Sequence, residues 1–320
     1  MEIDPEMYKL SRIDDAFHCQ PFPGFEWWYF DAAFDNGYSM VTSWHIAGRL
    51  VETEPVPDPG GIAFAVYDPE GKRTATGAGF PASAVFASRE TCDVKMGDNH
   101  LHGEFPNYEF HFRRGELGGD LFYENLTQGY RNPPDGITVL GQDPVRYMGH
   151  VIAQPRARVT GKLILAGKEI PINGEGYHDH NWGNVPLQDT LEWWYWGRIF
   201  IPNYTMVYAA VPGGGALMLF KGEKLLVSSP NLSAEPTNFE ADALTGTKYP
   251  WKLSLKVDDP RVKGEIIHKL RKVVESPQQS QISASPLRYF RFLSDCDIKL
   301  VADGEKIKVF TEVIHELMTR

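Results

Sequence analysis

The hydrophobic pattern of this chain is short-period. YSMVTSWHIAG (38–48), IAFAVYD (62–68), YEFHFR (108–113), ARVTGKLILAG (157–167) and TMVYAAV (205–211) are brief runs rich in β-branched and aromatic residues. ALMLF (216–220), KLSLKVD (252–258), RYFRFL (288–293) and IKVFTEVI (307–314) continue the series. Gly, Pro, Asn and Asp punctuate these runs, which is the signature of strands joined by tight turns. Asn36-Gly37, Ala166-Gly167 and Asp303-Gly304 sit between alternating runs, where two-residue hairpins need positive φ. One segment has helical spacing: GEIIHKLRKVVES (264–276), through Ile266, Ile267, Leu270, Val273 and Val274, with a long strand as the alternative. TEPVPDPGG (53–61) and ESPQQSQISASP (275–286) read as loops. The pattern predicts an all-β protein of two tandem barrels, since closing a sheet removes its edges.

Two echoes support that organisation. EWWYFDAAFDNGYSMV (26–41) and EWWYWGRIFIPNYTMV (192–207) align without a gap and share eight of sixteen positions. KLILAGKEIPINGEGYH (162–178) matches KLVADGEKIKVFTEVIH (299–315) at Lys162/Lys299, Leu163/Leu300, Gly167/Gly304, Ile170/Ile307, Glu175/Glu312 and His178/His315. Each half opens on EWWY and closes on a hairpin ending in His. A period this long means two tandem domains rather than a solenoid. The expected division is an N-terminal extension (1–21), a first barrel (22–186) and a shorter second barrel (187–320). As a strand, EWWYF puts Glu26, Trp28 and Phe30 on one face and Trp27, Tyr29 and Asp31 on the other. The gapless alignment places Glu192, Trp194 and Trp196 in the same phase.

Composition narrows the partners. The 320 residues are 42% hydrophobic and 12% aromatic, enough for two real cores. The net charge of −10 argues against nucleic acid, which calls for a basic face. No run approaches about 18 apolar residues, so nothing spans a membrane, although transient membrane contact stays open. MEIDPEMYKL is acidic and has no apolar core, unlike a secretory signal. Cys19, Cys92 and Cys296 read as reduced thiols, pointing to the cytoplasm. The oligomeric state is not legible.

Chemistry is sought where the halves differ. His178 has His315 as its counterpart and reads as structural. HDHNWG (178–183) becomes HELMTR (315–320), so His180 faces Leu317 and Trp182 faces Thr319, whereas Asp179 faces Glu316. Extended, this segment lays His178, His180 and Trp182 on one face and Tyr177, Asp179 and Asn181 on the other. An H-x-H pair suits zinc but needs a third ligand, and His45, His100 and His102 are not singled out by spacing. A His held by a partner can do acid–base work, and aromatic faces can stabilise a developing cation. A hydrogen-bonded plug in a barrel is the plainer reading. The expected site gathers His180, Trp182, Asp179 and Tyr195 as catalytic groups, with Trp28, Tyr177, Glu192, Trp194 and Tyr208 around a substrate close to the domain junction. The orienting partner of His180 is expected to be Glu192, Tyr195 or a backbone carbonyl, and no metal is expected.

EWWY, GYHDHNWG and WYWGRIF together resemble the carotenoid 1,2-hydratase (CrtC/AttH-like) family over roughly residues 22–220. The resemblance implies two lipocalin-like barrels and no cofactor. Known activities in the family are hydration of isoprenoid double bonds, flavonoid hydration and fungal Diels–Alder cyclisation. It carries the hydratase H-x-W onto His180 and Trp182. The family's Tyr and later Asp would fall on Tyr208 and Ala210, so the acid is absent there. Asp179 or Glu192 would substitute if buried and protonated. The implied function is a hydratase-type lyase on a hydrophobic isoprenoid or polyene-like small molecule. A cyclase or isomerase, and a carrier of lipid or pigment, are the alternatives.

Overall fold

The structure is a computed structural model and describes residues 8–48, 50, 58–133, 135–139, 143, 145–189, 191–277 and 287–320. Most of the predicted loops 53–61 and 275–286 lies outside the described residues. The chain divides into two compact units, residues 1–187 and 188–320. Among the described residues no helix is long and apolar enough to cross a membrane.

The first unit holds strands β1 (Phe25–Phe34), β2 (Ser39–Ala47), β3 (Gly60–Tyr67), β4 (Arg73–Phe80), β5 (Val85–Ala87), β6 (Cys92–Met96) and β7 (Asn99–Glu104). It continues with β8 (Asn107–Arg114), β9 (Leu117–Asn125), β10 (Tyr130–Arg131), β11 (Ile137–Val139), β12 (Tyr147–Leu165) and β13 (Lys168–Gly183). Their order in the sheet is 4-3-2-1-13-12-9-8-7-6-5, with β10 and β11 paired onto β12. The second unit holds β14 (Trp193–Ile201), β15 (Tyr204–Val211), β16 (Gly214–Lys221), β17 (Lys224–Ser229) and β18 (Leu232–Ala241). It ends with β19 (Lys248–Asp258), β20 (Val262–Glu275), β21 (Arg288–Ala302) and β22 (Glu305–Thr319), in the order 17-16-15-14-22-21-20-19-18. Both sheets are curled and antiparallel, and in each the first strand pairs with the last; the second order 17-16-15-14-22-21-20-19-18 matches 4-3-2-1-13-12-9-8-7 of the first, while β5, β6, β10 and β11 have no counterpart.

Segment 264–276 falls in β20 and is strand. Its alternation decides the matter: Val262, Ile266, His268 and Leu270 are buried at period two while Lys263, Lys269 and Arg271 are exposed. The closing hairpins match closely. Ala166 and Gly167 (φ 51 and 73) turn β12 into β13, and Asp303 and Gly304 (φ 46 and 85) turn β21 into β22. These are the left-handed pairs that two-residue hairpins require.

The opening hairpins differ by one residue, and this corrects the gapless EWWY alignment. In the first unit Phe34 N–H donates to Tyr38 O across the three residues Asp35-Asn36-Gly37. In the second, Ile201 pairs with Tyr204 across only Pro202-Asn203. The ladders record the consequence. Phe30 stands opposite His178, whereas Gly197, not Trp196, stands opposite His315. The structural counterpart of Glu26 is therefore Trp193, and that of Trp28 is Tyr195. Because strand faces alternate, a one-residue slip exchanges them. Glu26, Trp28 and Phe30 point into the first core, while Tyr195, Gly197 and Ile199 point into the second. The two copies of the word are thus read on opposite faces.

The first core packs Trp28, Phe30, Trp44, Phe64, Tyr108, Phe112 and Tyr123, all essentially without exposure. Each ring of this size contributes roughly 2–3 kcal/mol through burial. The predicted N-terminal extension is not separate from this unit. A short 3-10 turn (Arg12–Asp15) and the residues after it pack inward, with Asp15, Ala16 and Phe17 buried and Phe17 joining the core.

Candidate functional site

The interior of the first unit carries a polar column on β13. His178, His180 and Trp182 alternate inward, as the extended reading requires, and none is more than 2% exposed. Tyr177, Asp179 and Asn181 occupy the other face. There Asp179 accepts hydrogen bonds from Tyr177 Oη at 2.7 Å and Asn181 Nδ2 at 2.8 Å, and His150 Nε2 lies 3.2 Å away. Tyr177 and Asp179 therefore do not join the column.

The partners of His180 come from β1 and from the segment preceding it, not from Glu192, Tyr195 or a backbone carbonyl. Nε2 lies 2.9 Å from Glu26 Oε1. Nδ1 lies 3.3 Å from Asp15 Oδ1, an ion-pair distance without hydrogen-bond alignment. The ring stacks on Trp28 at 4.4 Å and 12°. Trp28 is itself tied down by its indole N–H, which donates to Asp15 O at 3.1 Å. His178 is held as tightly. Its Nδ1 donates to Tyr29 O at 3.0 Å, its Nε2 lies 3.0 Å from Asp15 Oδ2, and it stacks on Phe30 at 3.8 Å.

Glu26 is 1% exposed. Besides His180, it accepts the backbone N–H groups of His18 (2.7 Å) and Cys19 (3.2 Å). His18 then stacks on Trp182 at 3.7 Å and 12°, so the segment before β1 forms a cover over the column. Room for Trp182 comes from Gly149 opposite it on β12, where an added Cβ would meet the indole at 1.9 Å.

Burial and charge set the proton affinities. Burial alone would depress His180, but the carboxylates of Asp15 and Glu26 close to its two ring nitrogens outweigh it and push the imidazole up to about 9. Burial raises Glu26 above the usual carboxylate range, an effect that His180 and the two backbone donors only partly offset. Asp15 is held well below that range: burial opposes this, and the nearness of His178 and His180 together with the His178 hydrogen bond overcomes it. Burial drops His18 to about 4. The arrangement is one firmly ionised carboxylate, a proton-holding histidine and a second carboxyl whose proton affinity burial raises, beside two tryptophan faces.

Asp15, Cys92 and His178 bring one donor atom each within 4.8 Å of one another. The set has the chemistry of a zinc site. Its atoms are engaged otherwise here: Asp15 and His178 bond to each other, and burial together with Asp15 holds the Cys92 thiol far above its ordinary range. His45, considered as a ligand for the H-x-H pair, is exposed and points away, bonded to Ser43.

The remaining sequence candidates belong to the second unit. Tyr195 is buried in its core, Trp194 is half-buried on the opposite face of β14, and Glu192 is exposed, so it is not a buried acid. Tyr208 points inward and bonds His268 Nε2 at 3.0 Å. Sequence reasoning missed Asp15, His18 and Glu26. The available signal for Glu26 was its place on the Trp28 face.

No protein-family model matches the chain. It is 26% identical over 238 residues to hydroxyneurosporene dehydrogenase of Chlorobaculum tepidum, covering 63% of this chain and 60% of that protein. It is 28% identical over 213 residues to a quinolone epoxide rearrangement protein of Penicillium thymicola, covering 59% and 57%. The matches thus span less than two thirds of these relatives. Among solved structures, a putative AttH from Nitrosomonas europaea superposes with a TM-score of 0.68 at 16% identity, covering 92% of both chains. Kievitone hydratase from Nectria haematococca superposes at 0.64 and 14% identity, covering 98% of this chain and 94% of that one. The chain has the fold of these proteins, and its relatives are consistent with the carotenoid hydratase, lipocalin-like family that its motifs resemble.

Proposed function

We propose that the chain is an enzyme that hydrates or rearranges a hydrophobic small molecule through proton transfer from Glu26, with His180 as its relay. One observation carries the reading: Glu26 is a buried carboxyl whose proton affinity is raised by burial, bonded to His180 and flanked by Trp28. It supplies the acid that is absent at Ala210. Its proton would add to a substrate carbon–carbon double bond, and the tryptophan faces would stabilise the resulting cation. Water would then add, its proton returning through His180 to Glu26. With an epoxide, the same proton goes to the ring oxygen, a C–O bond breaks, a neighbouring group migrates, and the resulting cation gives a proton back through His180 to Glu26. The names of the two relatives support a hydrophobic substrate; an isoprenoid or polyene is the finer assignment.

Substrate reaches Glu26 when the cover formed by residues 14–20 withdraws. The His18 and Cys19 N–H groups favour ionised Glu26, so withdrawal both opens the site and strengthens the carboxyl's hold on its proton. The correspondence of strand orders supports descent of both units from one duplicated barrel. The free thiols of Cys19, Cys92 and Cys296 support a reducing, cytoplasmic setting.

The test is turnover of a prenyl or polyene panel in H₂¹⁸O. Hydration adds labelled water, and rearrangement leaves the mass unchanged. Glu26→Gln is expected to abolish either reaction while retaining ligand. A ligand that co-purifies with the wild-type chain and is never converted would sink the enzymatic reading in favour of carriage.

A further inference from the structure

A second group of histidines lies on the outside of the first sheet, away from the column. On β7, Asn99, Leu101 and Gly103 point into the core, so His100 and His102 point outward. The register places Asp93 of β6 opposite His102, His111 of β8 opposite His100, and Asp120 of β9 opposite His111. Asp93, His100 and His102 each bring a donor atom within 4.8 Å of the other two. His100 Nε2 lies 2.8 Å from Asp93 Oδ1, and the two imidazoles are 5.5 Å apart, inclined at 35°. Beside them opens a groove of about 350 Å³, lined on its polar side by His100, His102, Glu109, His111 and Asp120.

We propose that Asp93, His100 and His102 form a zinc-binding site on the outer face of the first sheet. Two imidazoles and one carboxylate are a borderline-soft donor set that suits Zn²⁺, with the fourth position left to water in the groove. The geometry is prepaid by the sheet. Residues two apart on one strand share a face, and the register sets the carboxylate against them. His111, which also lines the groove, is held by Asp120 through Nδ1. The cation on the neighbouring strand does not compete, because Lys95 Nζ turns aside to sit 5.7 Å from the Phe86 ring centroid. A bound ion ties β6 to β7 close to the end of the sheet, where β5 is only three residues long. The site is independent of the proposed catalysis.

The test uses the full chain without a polyhistidine tag, titrated with Zn²⁺ by calorimetry and with Co²⁺ by visible absorption. One equivalent of each is expected, with a tetrahedral Co²⁺ spectrum lacking the sulfur charge-transfer band that Cys92 would give. At Zn²⁺ about 100-fold above its dissociation constant, the melting temperature is expected to rise on the order of 5 °C. His102→Ala and Asp93→Asn are each expected to weaken binding by at least about 100-fold. His45→Ala, another exposed histidine of this unit, and Cys92→Ser are expected to leave it unchanged. Equal binding by wild type, His102→Ala and Asp93→Asn would overturn the assignment. So would loss of the equivalent in Cys92→Ser, or binding only at millimolar metal.

Discussion

The two units answer the same strand order with opposite interiors. Where β13 carries His178 and His180 against Asp15 and Glu26, β22 carries His315 and Leu317 with no carboxylate bonded to the histidine among the described residues. His315 Nε2 meets Ser294 Oγ at 2.9 Å, and its ring stacks on His268 at 4.5 Å. Burial drops His268 to about 3 and His315 well below its ordinary value, so this pair is neutral. The charged interior of the first unit has two causes. A segment ahead of β1 delivers Asp15, and a turn one residue longer points Glu26 inward where the second unit has Trp193. Neither cause alters the shared part of the strand order, so the two interiors differ in chemistry within one architecture.

The comparison breaks first on rate. If the first unit alone holds the proton-transfer groups, His180→Ala and Glu26→Gln should each lower turnover by about 10²–10⁴-fold, the usual loss on removing a general acid–base. His315→Gln should leave it within a few-fold. A comparable loss from His315→Gln would end the distinction between the units.

Stability should follow next. Asp15→Ala leaves His178 and His180 buried without their shared anion and is expected to cost about 3–5 kcal/mol in denaturant unfolding. His315→Leu removes a neutral ring from an apolar setting and should cost much less. Equal losses would show that the Asp15 network is not what distinguishes the first interior.

The pH responses should have opposite signs. The folded value of about 9 for His180 exceeds the ordinary 6.5. That contribution is full below pH 6.5 and disappears as pH rises through 9. The folded value of about 3 for His268 lies under the ordinary 6.5. Here the unfolded chain takes up a proton that the folded one refuses, so stability falls as pH drops from 6.5 toward 3. Each group gives a slope of at most about 1.4 kcal/mol per pH unit. Native-state hydrogen exchange of β13 and β22 amides would separate the two; parallel profiles would contradict the assignment.

The smallest effect concerns fit. Gly149→Ala puts a methyl into the Trp182 indole and should cost about 1–3 kcal/mol, the usual range for overpacking. It should also loosen the His18–Trp182 stack, seen as faster exchange at the His18 and Cys19 amides that bond Glu26. Protection unchanged from wild type would mean that the cover is held by Asp15 and Phe17 alone.

Strands, turns and pairing were legible because alternation and left-handed dipeptides are local. Segment 264–276 was ambiguous because Ile266, Leu270 and Val273 satisfy both a helical and a strand period. His180 and Trp182 were found from their asymmetry with Leu317 and Thr319. The same rule hid Glu26 and His178, whose letters recur in the second half. It assumed that equal letters meet equal surroundings, and one extra turn residue removes that equality. Asp15 carried no signal at all, since it reaches the column through tertiary packing of a segment without periodicity.

The pairing of β1 with β13 also sets a schedule. At ~5–20 residues per second, a ribosome finishes β1 roughly 7–30 s before it completes β13. Through that interval Glu26 and Trp28 have one neighbour, β2, and an open flank. The slow step in forming the column is therefore expected to be the pairing of β1 with β13, a contact between residues about 150 apart in sequence. The proposed catalytic histidine arrives on the last strand of its unit, so the column and the β1–β13 pairing form in a single event.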